Sequence, residues 1–284
     1  MNKLLKGLIF DKQLTLAVLD TTEMVNDAIK IHNLTPLTAA ALGRTLTVST
    51  FMSSTLKNEI DKLSITVAGG GVGGKITVCG NGKLQMRGSI ENPQVSLPLR
   101  EDGKLNVGAC VGKEGRLTIT RSMGLKEPYS GSAKLVSGEI AEDFTSYYAL
   151  SEQQPTAIAL GVKIGKEGLC VGAGGVIIQA LPFATEETLM RAEEIISQLK
   201  NISTLIEEKG AEGVLKEYFG EIEYQEYHPQ YKCLCSREYI EKLLISMGKA
   251  ELEDIIKEQG KISVKCEFCQ TDYTFDKADV DKLF

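Results

Sequence analysis

Histidine is scarce in this sequence, which has only two in 284 residues, His32 and His228. Because histidine is the side chain that most often transfers protons near neutral pH, few candidates remain for a catalytic nucleophile–base pair. His32 is expected near the end of a helix and His228 lies beside Pro229, positions that are more typical of surface residues. We therefore predict that the chain is not an enzyme, although an enzyme that used carboxylates alone would leave no such signature.

A long uncharged apolar run is also lacking. The longest weakly charged stretch, residues 35–56, contains Arg44 and many serines and threonines, which favours a buried helix over a membrane span. Near the beginning of the chain, Lys6 interrupts an apolar run that Asp11 ends, and no small-residue cleavage site follows. We expect no signal peptide, and we predict a cytoplasmic protein with no membrane partner.

Positive charge is not in excess. The formal net charge is −6, and it is uneven: residues 1–183 carry +3, residues 184–232 carry −6 and residues 233–284 carry −3. Nucleic-acid affinity depends on clustered lysine and arginine, so the acidic last part of the chain argues against a nucleic-acid partner.

Apolar and polar residues alternate in the first part of the chain, a pattern typical of an antiparallel sheet that is half-buried on one face. Thr35 followed by Pro36 is a helix start signal, and Asp20 with Glu23 resembles a capping box. We predict an α+β fold whose N-terminal mixed core domain, an antiparallel sheet with helices, occupies residues 1–183. The predicted strands are residues 13–19, 63–67, 75–78, 83–86, 116–120, 156–162 and 169–180, and the predicted helices are 20–31, 35–56 and 139–151.

Six positions from Gly69 to Gly74 formally match the G-x-G-x-x-G pattern of dinucleotide-binding loops. That pattern requires a helix after the glycines, so that the helix N-terminus meets the phosphates. Here the next residues, 75–78, read as a strand. We interpret the glycines as a flexible connection between strands.

Residues 184–231 are predicted to form a helical linker. Leu189, Ala192, Ile196 and Leu199 share one helix face, Gly210 ends the pattern, and a second short helix is expected at residues 211–219. The apolar face would pack on the core domain. Because such a segment has few residues of its own to bury, its order depends on its neighbours, and it could be released.

Four cysteines lie in two close pairs near the end of the chain: Cys233 with Cys235, and Cys266 with Cys269. One Zn²⁺ takes four thiolates tetrahedrally, and each pair can supply one edge of the tetrahedron. Two structural disulfides are the alternative, but they belong to oxidising compartments. We therefore predict one Cys₄ zinc site in a C-terminal zinc-binding module of residues 232–284, with a helix after Ser236 and another at 250–258.

The remaining cysteines, Cys79, Cys110 and Cys170, stand singly in strand-like apolar runs and are interpreted as buried small hydrophobic residues. The four paired thiolates are the oxidisable form of cysteine, with Lys232, Arg237 and Lys265 nearby. Peroxide or hypochlorite that converted them to disulfides would remove the ligands and the metal's contribution to folding. A static structural site remains the alternative, whereas a closed Cys₄ shell argues against a catalytic zinc.

The chain resembles the 33 kDa chaperonin family, the redox-regulated heat shock protein 33 family, over essentially its whole length. The resemblance is carried by Cys-x-Cys followed about thirty residues later by Cys-x-x-Cys, by residues 33–46, by the glycines at 69–74 and by the order of sheet domain, helical linker and zinc module. The four ligand positions show no departure from the family pattern.

The resemblance implies an ATP-independent holdase that is inactive when reduced and zinc-bound and active when oxidised. It implies disulfides Cys233–Cys235 and Cys266–Cys269, zinc release, unfolding of the linker and capture of unfolding client proteins under oxidative stress. It also implies that a homodimer forms on activation.

Overall fold

The computed structural model describes residues 1–124 and 127–284, which fall into two compact units, residues 1–231 and 232–284. Within the described residues, no helix is long and apolar enough to cross a membrane. The predicted α+β class is confirmed. The division of residues 1–231 into a core domain and a linker stays a prediction.

The first unit contains two sheets. Its strands are β1 (Lys3–Ile9), β2 (Leu14–Asp20), β3 (Lys62–Ala68), β4 (Ile76–Asn81), β5 (Gln85–Ile90), β6 (Arg116–Ser122), β7 (Tyr129–Lys134), β8 (Thr156–Ile164), β9 (Cys170–Ala180), β10 (Tyr224–Tyr227) and β11 (Gln230–Tyr231). Among described residues, the first sheet has the antiparallel order β10-β1-β2-β9-β8. The second has the order β11-β5-β4-β3-β6-β7, in which, over residues 1–124 and 127–284, β11 and β5 pair parallel and the other neighbours pair antiparallel.

Helix α2 forms the centre of the first unit. The helices of this unit are α1 (Thr22–His32), α2 (Pro36–Ser53), α3 (Val107–Val111), α4 (Ala141–Tyr147), α5 (Glu186–Gln198) and α6 (Ile202–Phe219), and a π-helical turn, Tyr148–Glu152, follows α4. Helix α2 packs against both sheets and is buried along nearly all of its length, as predicted. The hydroxyls of Thr45, Thr47 and Thr50 donate to carbonyls one turn earlier, which satisfies these buried polar groups.

The predicted start of α2 is confirmed, but the predicted start of α1 is wrong in detail. Thr35 Oγ1 accepts the amide of Thr38, with Pro36 at the first helical position. In α1 the cap residue is Thr21, and it makes no side-chain cap bond. Asp20 instead accepts both the amide and the hydroxyl of Thr22, so Asp20 and Glu23 form no capping box.

The glycines between β3 and β4 connect two strands, as predicted, but the connection is closely packed. A Cβ at Gly69 would lie 2.2 Å from the carbonyl oxygen of Gly112, and one at Gly71 would lie 2.4 Å from that of Cys110. The Gly71 amide donates to the Val111 carbonyl at 2.9 Å. Glycine is needed here because two backbones approach each other, and not because the loop must flex.

Helices α5 and α6 cover the outer face of the first sheet. Ala192 of α5, Ile202 and Ile206 of α6, and Leu199 between the two helices are buried and pack in one cluster with apolar residues of that sheet. Gly210, at φ 66° and ψ −178°, interrupts α6, which agrees with the predicted helix break. Only Thr188 and Ala192 are buried in α5, so the helix is shallowly seated.

Two other sequence interpretations are wrong. His32 is 8% exposed, and its Nε2 lies 3.2 Å from the Tyr231 hydroxyl, because residues distant in the chain pack over it. Cys79 is half-buried, because the alternation of β4 places it on the same face as Thr77. Cys110 and Cys170 are buried, as predicted.

Candidate metal centre

The four paired cysteines lie in the second unit, on two short segments. The elements of this unit are α7 (Arg237–Met247), α8 (Lys249–Gln259), β12 (Ile262–Lys265), β13 (Asp272–Phe275) and α9 (Lys277–Leu283). Cys233 and Cys235 precede α7, where Ser236 Oγ accepts the Tyr239 amide. Cys266 and Cys269 lie in the turn of the β12–β13 hairpin.

Backbone hydrogen bonds fix the hairpin turn around its two cysteines. The Cys266 amide donates to the Thr271 carbonyl, and the Gln270 amide donates back to the Cys266 carbonyl, each at 2.9 Å. Gln270 takes a positive φ of 58°, which lets the chain reverse direction after Cys269. Both sulfurs are thereby held on one short loop.

The four sulfur atoms converge. All lie within 4.8 Å of one another, with 3.3 Å between Cys235 and Cys269 and 3.7 Å between Cys233 and Cys266. A regular tetrahedron with metal–sulfur bonds of about 2.3 Å has edges of about 3.8 Å. The sulfur separations therefore fit one ion held by all four cysteines.

Hydroxyl groups contact one sulfur of each pair. Tyr273 Oη lies 3.2 Å from Cys235 Sγ, and Thr271 Oγ1 lies 3.2 Å from Cys269 Sγ. When the sulfurs are thiolates, each hydroxyl is the donor. The sequence analysis missed both hydroxyl contacts. A hydroxyl residue within four positions of a ligand cysteine was the available signal.

The ionisation of the cluster is uneven. Burial is the largest cause that raises the pKa of Cys233, and burial also raises the pKa of Cys235. At Cys269 burial opposes ionisation, but hydrogen bonds from Thr271 outweigh it and lower the pKa to about 7. The hydrogen bond to Cys235 raises the pKa of Tyr273 to about 12. Thiolates so close together repel one another, and a bound cation would relieve that repulsion.

Arg237, which lies close to the cysteine pairs in the sequence, is held by contacts to other elements of the second unit. Its guanidinium forms ion pairs with Glu241 at 3.2 Å and Asp279 at 2.9 Å, and it lies 4.3 Å from the centre of the Phe275 ring. It also donates to the Thr274 carbonyl. Arg237 therefore joins α7 to the hairpin and α9, and its charge is balanced by two carboxylates.

The core of the second unit is small. Within this unit the buried apolar cluster consists of Ile240, Leu244, Leu252, Ile262, Phe275 and Val280. A core of this size gives little stability to a domain of 53 residues, so a bound metal would contribute to its folding.

Comparison with known proteins decides the family. The family model described as Hsp33 protein matches residues 2–276. The chain belongs to the Hsp33 family. It is 45% identical over 267 residues to the 33 kDa chaperonin of Desulforamulus reducens, covering 93% of this chain and 90% of the relative. It is 41% identical to the 33 kDa chaperonin of Alkaliphilus oremlandii, covering 99% of this chain and 96% of the relative.

A solved structure supports the same family assignment. The crystal structure of the 33 kDa chaperonin (heat shock protein 33 homolog) from Thermotoga maritima matches with a TM-score of 0.90 at 34% identity, covering 99% of this chain and 97% of the other. The Hsp33 family and these relatives are chaperones and not enzymes, which confirms the prediction that this chain is not an enzyme. A chaperone acts on client proteins, and the four cysteines could hold a metal ion.

Proposed function

We propose that this Hsp33 chain is an ATP-independent holdase, inactive while reduced and zinc-bound and activated by oxidation. The observation that carries the proposal is the convergence of four sulfurs from two segments in a unit with a small core. Family membership supports the chaperone activity, and the cluster supports the redox control.

Zinc is the ion we assign to the site. Four thiolates in a closed tetrahedral set are soft ligands, which select zinc over the hard cations magnesium and calcium. A zinc ion held by Cys233, Cys235, Cys266 and Cys269 would keep all four sulfurs as thiolates and stabilise the second unit, by an apparent ~10–16 kcal/mol in small zinc domains.

Oxidation would remove the ligand set. Two thiolates give two electrons to one hydrogen peroxide, forming one disulfide and two hydroxides, and a second peroxide oxidises the other two thiolates. We propose the pairs Cys233–Cys235 and Cys266–Cys269. The separations of 3.3 Å and 3.7 Å both join the two segments, but disulfides across the segments would hold them together, whereas disulfides within each pair let them separate.

Release of residues 184–231 would then expose client-binding surface. Helix α5 is shallowly seated, and the sheet face beneath α5 and α6 is apolar, with Leu16, Val18, Val176 and Ile178 buried there. Exposed apolar surface binds the apolar segments of unfolding proteins. We further propose a cytoplasmic protein that forms a homodimer on activation and has neither nucleic-acid nor membrane partners.

The test is light scattering from a heat-denatured client, with the chain added either reduced and zinc-loaded or peroxide-oxidised and zinc-free. Suppression of aggregation by the oxidised form alone is expected. Cys79→Ser, which removes a half-buried thiol outside the cluster, should behave like the unmodified chain, and Cys233→Ser should bind zinc weakly. Equal suppression by the two redox forms would show that the site is only structural.

A further inference from the structure

Residues 224–231 form a strap that runs along the edges of both sheets. Strand β10 pairs antiparallel with β1 over Leu4–Gly7, and β11 pairs parallel with β5 at Gln85 and Met86. The strap follows α6 in the chain and ends directly before Lys232. Strand β10 is the edge strand of the first sheet beside β1, and β11 is the edge strand of the second sheet beside β5.

Strand β10 is attached to β1 by backbone pairing, and Tyr227 at its end adds a partly buried side chain that packs on the core. The side chains of Tyr224, Gln225 and Glu226 are exposed, so they add little buried surface. Gly7 of β1 allows the close approach, because a Cβ there would lie 2.7 Å from the Glu223 carbonyl oxygen. β1 therefore pairs with an extended backbone in which three of the four β10 side chains are exposed, and the side-chain contacts of β10 are those of Tyr227 with the core and Glu226 with Lys3.

A second anchor lies at the end of the strap. The Tyr231 hydroxyl donates to the Gly88 carbonyl at 2.8 Å and lies 3.3 Å from the Gly88 amide. The Asn2 side chain also donates to the Pro229 carbonyl at 3.1 Å. These contacts hold the strap on strands whose edges would otherwise present unpaired backbone groups.

At the opposite ends of the sheets, other elements pack on the outer strands. Helices α4 and α5 pack against β8, and the turn Tyr148–Glu152 packs against β7. Since β10 belongs to the linker segment, β1 is an edge that linker release would open.

We propose that release of the strap converts the edge of β1 into a docking site for an extended segment of a client protein, which adds to the first sheet as a strand. The proposal rests on the proposed function, because oxidation must first release residues 184–231. Every unfolded chain has a backbone that can pair in this way, so the site would accept many sequences. Edge pairing is also the contact through which unfolding proteins aggregate, and an occupied client edge cannot take part in it.

Lysine side chains beside β1 favour a client strand that carries carboxylates. Lys3 lies 3.5 Å from Glu226 of β10 and also contacts Glu212 of α6, and it loses both partners when the linker leaves. Lys6, opposite Gln225, is half-buried, and burial lowers its pKa. A client strand with a carboxylate opposite Lys3 would restore the lost pairing, and a basic strand would be repelled.

Hydrogen exchange tests the docking site directly. In the reduced, zinc-loaded chain, the amides of Leu4–Gly7 that bond to β10 should be protected. In the oxidised chain they should exchange about tenfold faster or more. Addition of heat-denatured citrate synthase should restore the protection. Amides that stay exposed in the client complex, or that never lose protection on oxidation, would overturn the proposal.

A disulfide staple provides the second test. Lys6 and Gln225 are paired residues, so the double variant Lys6→Cys/Gln225→Cys should fix β10 on β1 while α5 and α6 remain free. The matched control is Thr118→Cys/Ser132→Cys, a cross-strand pair within the second sheet. Zinc release by peroxide should be unchanged in both, and aggregation suppression should fall only in the β1–β10 staple.

The two tests separate this proposal from the proposed function. Full suppression by the stapled chain, with normal zinc release, would overturn β1 docking and leave the redox-controlled holdase standing. Failure of the unmodified oxidised chain to release zinc or to suppress aggregation would overturn both.

Discussion

The hydroxyls of Tyr273 and Thr271 distinguish the two sulfurs within each cysteine pair. Tyr273 contacts Cys235 and Thr271 contacts Cys269, each at 3.2 Å. A hydrogen bond to a thiolate draws electron density from sulfur, which orients the ligand and lowers its reactivity toward oxidants. If the site holds zinc as proposed, we expect these two side chains to act through the ligands on the rate of metal release.

We expect Tyr273→Phe to weaken zinc binding by about tenfold, the lower end of the range for a lost hydrogen-bond partner of a metal ligand. Zinc release by peroxide should also be faster. Both are measured with a chromogenic zinc chelator, by competition and by the rate of colour development. Tyr239→Phe is the matched control, because Tyr239 is 55% exposed in the same unit. Identical release by the two variants would mean that the Tyr273 hydroxyl has no effect on the site.

The buried thiols of Cys110 and Cys170 are expected to be unreactive, in contrast to the four cysteines of the cluster. Burial raises the pKa of Cys110 to about 11 and that of Cys170 to about 12. Both should resist alkylation by iodoacetamide at about pH 8 in the folded chain, because the thiolate is the reactive form. Mass spectrometry should find both labelled only after denaturation, and labelling without denaturant would contradict the burial.

The same shifts give a pH dependence with a defined sign. Below about pH 7.5 these thiols are protonated in both folded and unfolded chains, so they do not change the free energy of unfolding with pH. At higher pH the two thiols ionise in the unfolded chain but stay protonated in the folded chain. The free energy of unfolding therefore falls as the pH rises toward 11. The loss of urea stability between about pH 8 and pH 10 should be smaller in Cys110→Ala/Cys170→Ala than in the unmodified chain.

Among the elements, α6 depends on one backbone conformation. Gly210, at φ 66° and ψ −178°, occupies a region that is essentially restricted to glycine. Gly210→Ala should therefore destabilise the docked linker by about 1–3 kcal/mol. Hydrogen exchange in α5 and α6 should become faster, and chaperone activity should appear at lower oxidant concentration. Glu208→Ala, at an exposed neighbouring position, should change neither the hydrogen exchange nor the oxidant concentration at which activity appears. Loss of stability in both variants would point to helix packing instead of the Gly210 backbone.

The elements that sequence patterns predicted share strong local signals. The cap at Thr35, the alternation in β3 and β6, Ser236 before α7 and Gly248 after it are each encoded within a few residues. The predicted strand at 83–86 was displaced, because Leu84 takes a positive φ of 57° in the turn and β5 begins only at Gln85. Strands β7 and β10 were missed because they are polar edge strands without an apolar face.

Contacts between distant residues explain the other misses. His32 has no sequence signal for burial, since Tyr231 lies 199 positions away. The close packing at Gly69 and Gly71 likewise depends on the 110–112 backbone. For the candidate site, the cysteine spacing was enough to predict the four sulfurs as ligands. The hydroxyl contacts depend on how the hairpin folds, which the spacing does not show.

At the scale of the whole molecule, the two units should respond differently to metal removal. A strong zinc chelator under reducing conditions should abolish amide protection in residues 232–284, whose core is small, and leave β2, β3 and β9 protected. Zinc should restore the protection and magnesium should not, because thiolates are poor ligands for hard cations. A second unit that stays protected without metal would show that its apolar core is sufficient.

The strap and the sulfur cluster are separated by almost no chain. Tyr231, bonded to Gly88, stands two positions before Cys233, so about 7 Å of backbone at most connects the last anchor to the first ligand. On the proposed mechanism, we expect disorder that begins at Cys233 to disturb the Tyr231 anchor, because only two peptide units separate them. Insertion of a few glycines and serines between Tyr231 and Cys233 should separate zinc release from release of the strap. Peroxide would still release zinc, but suppression of client aggregation would no longer follow.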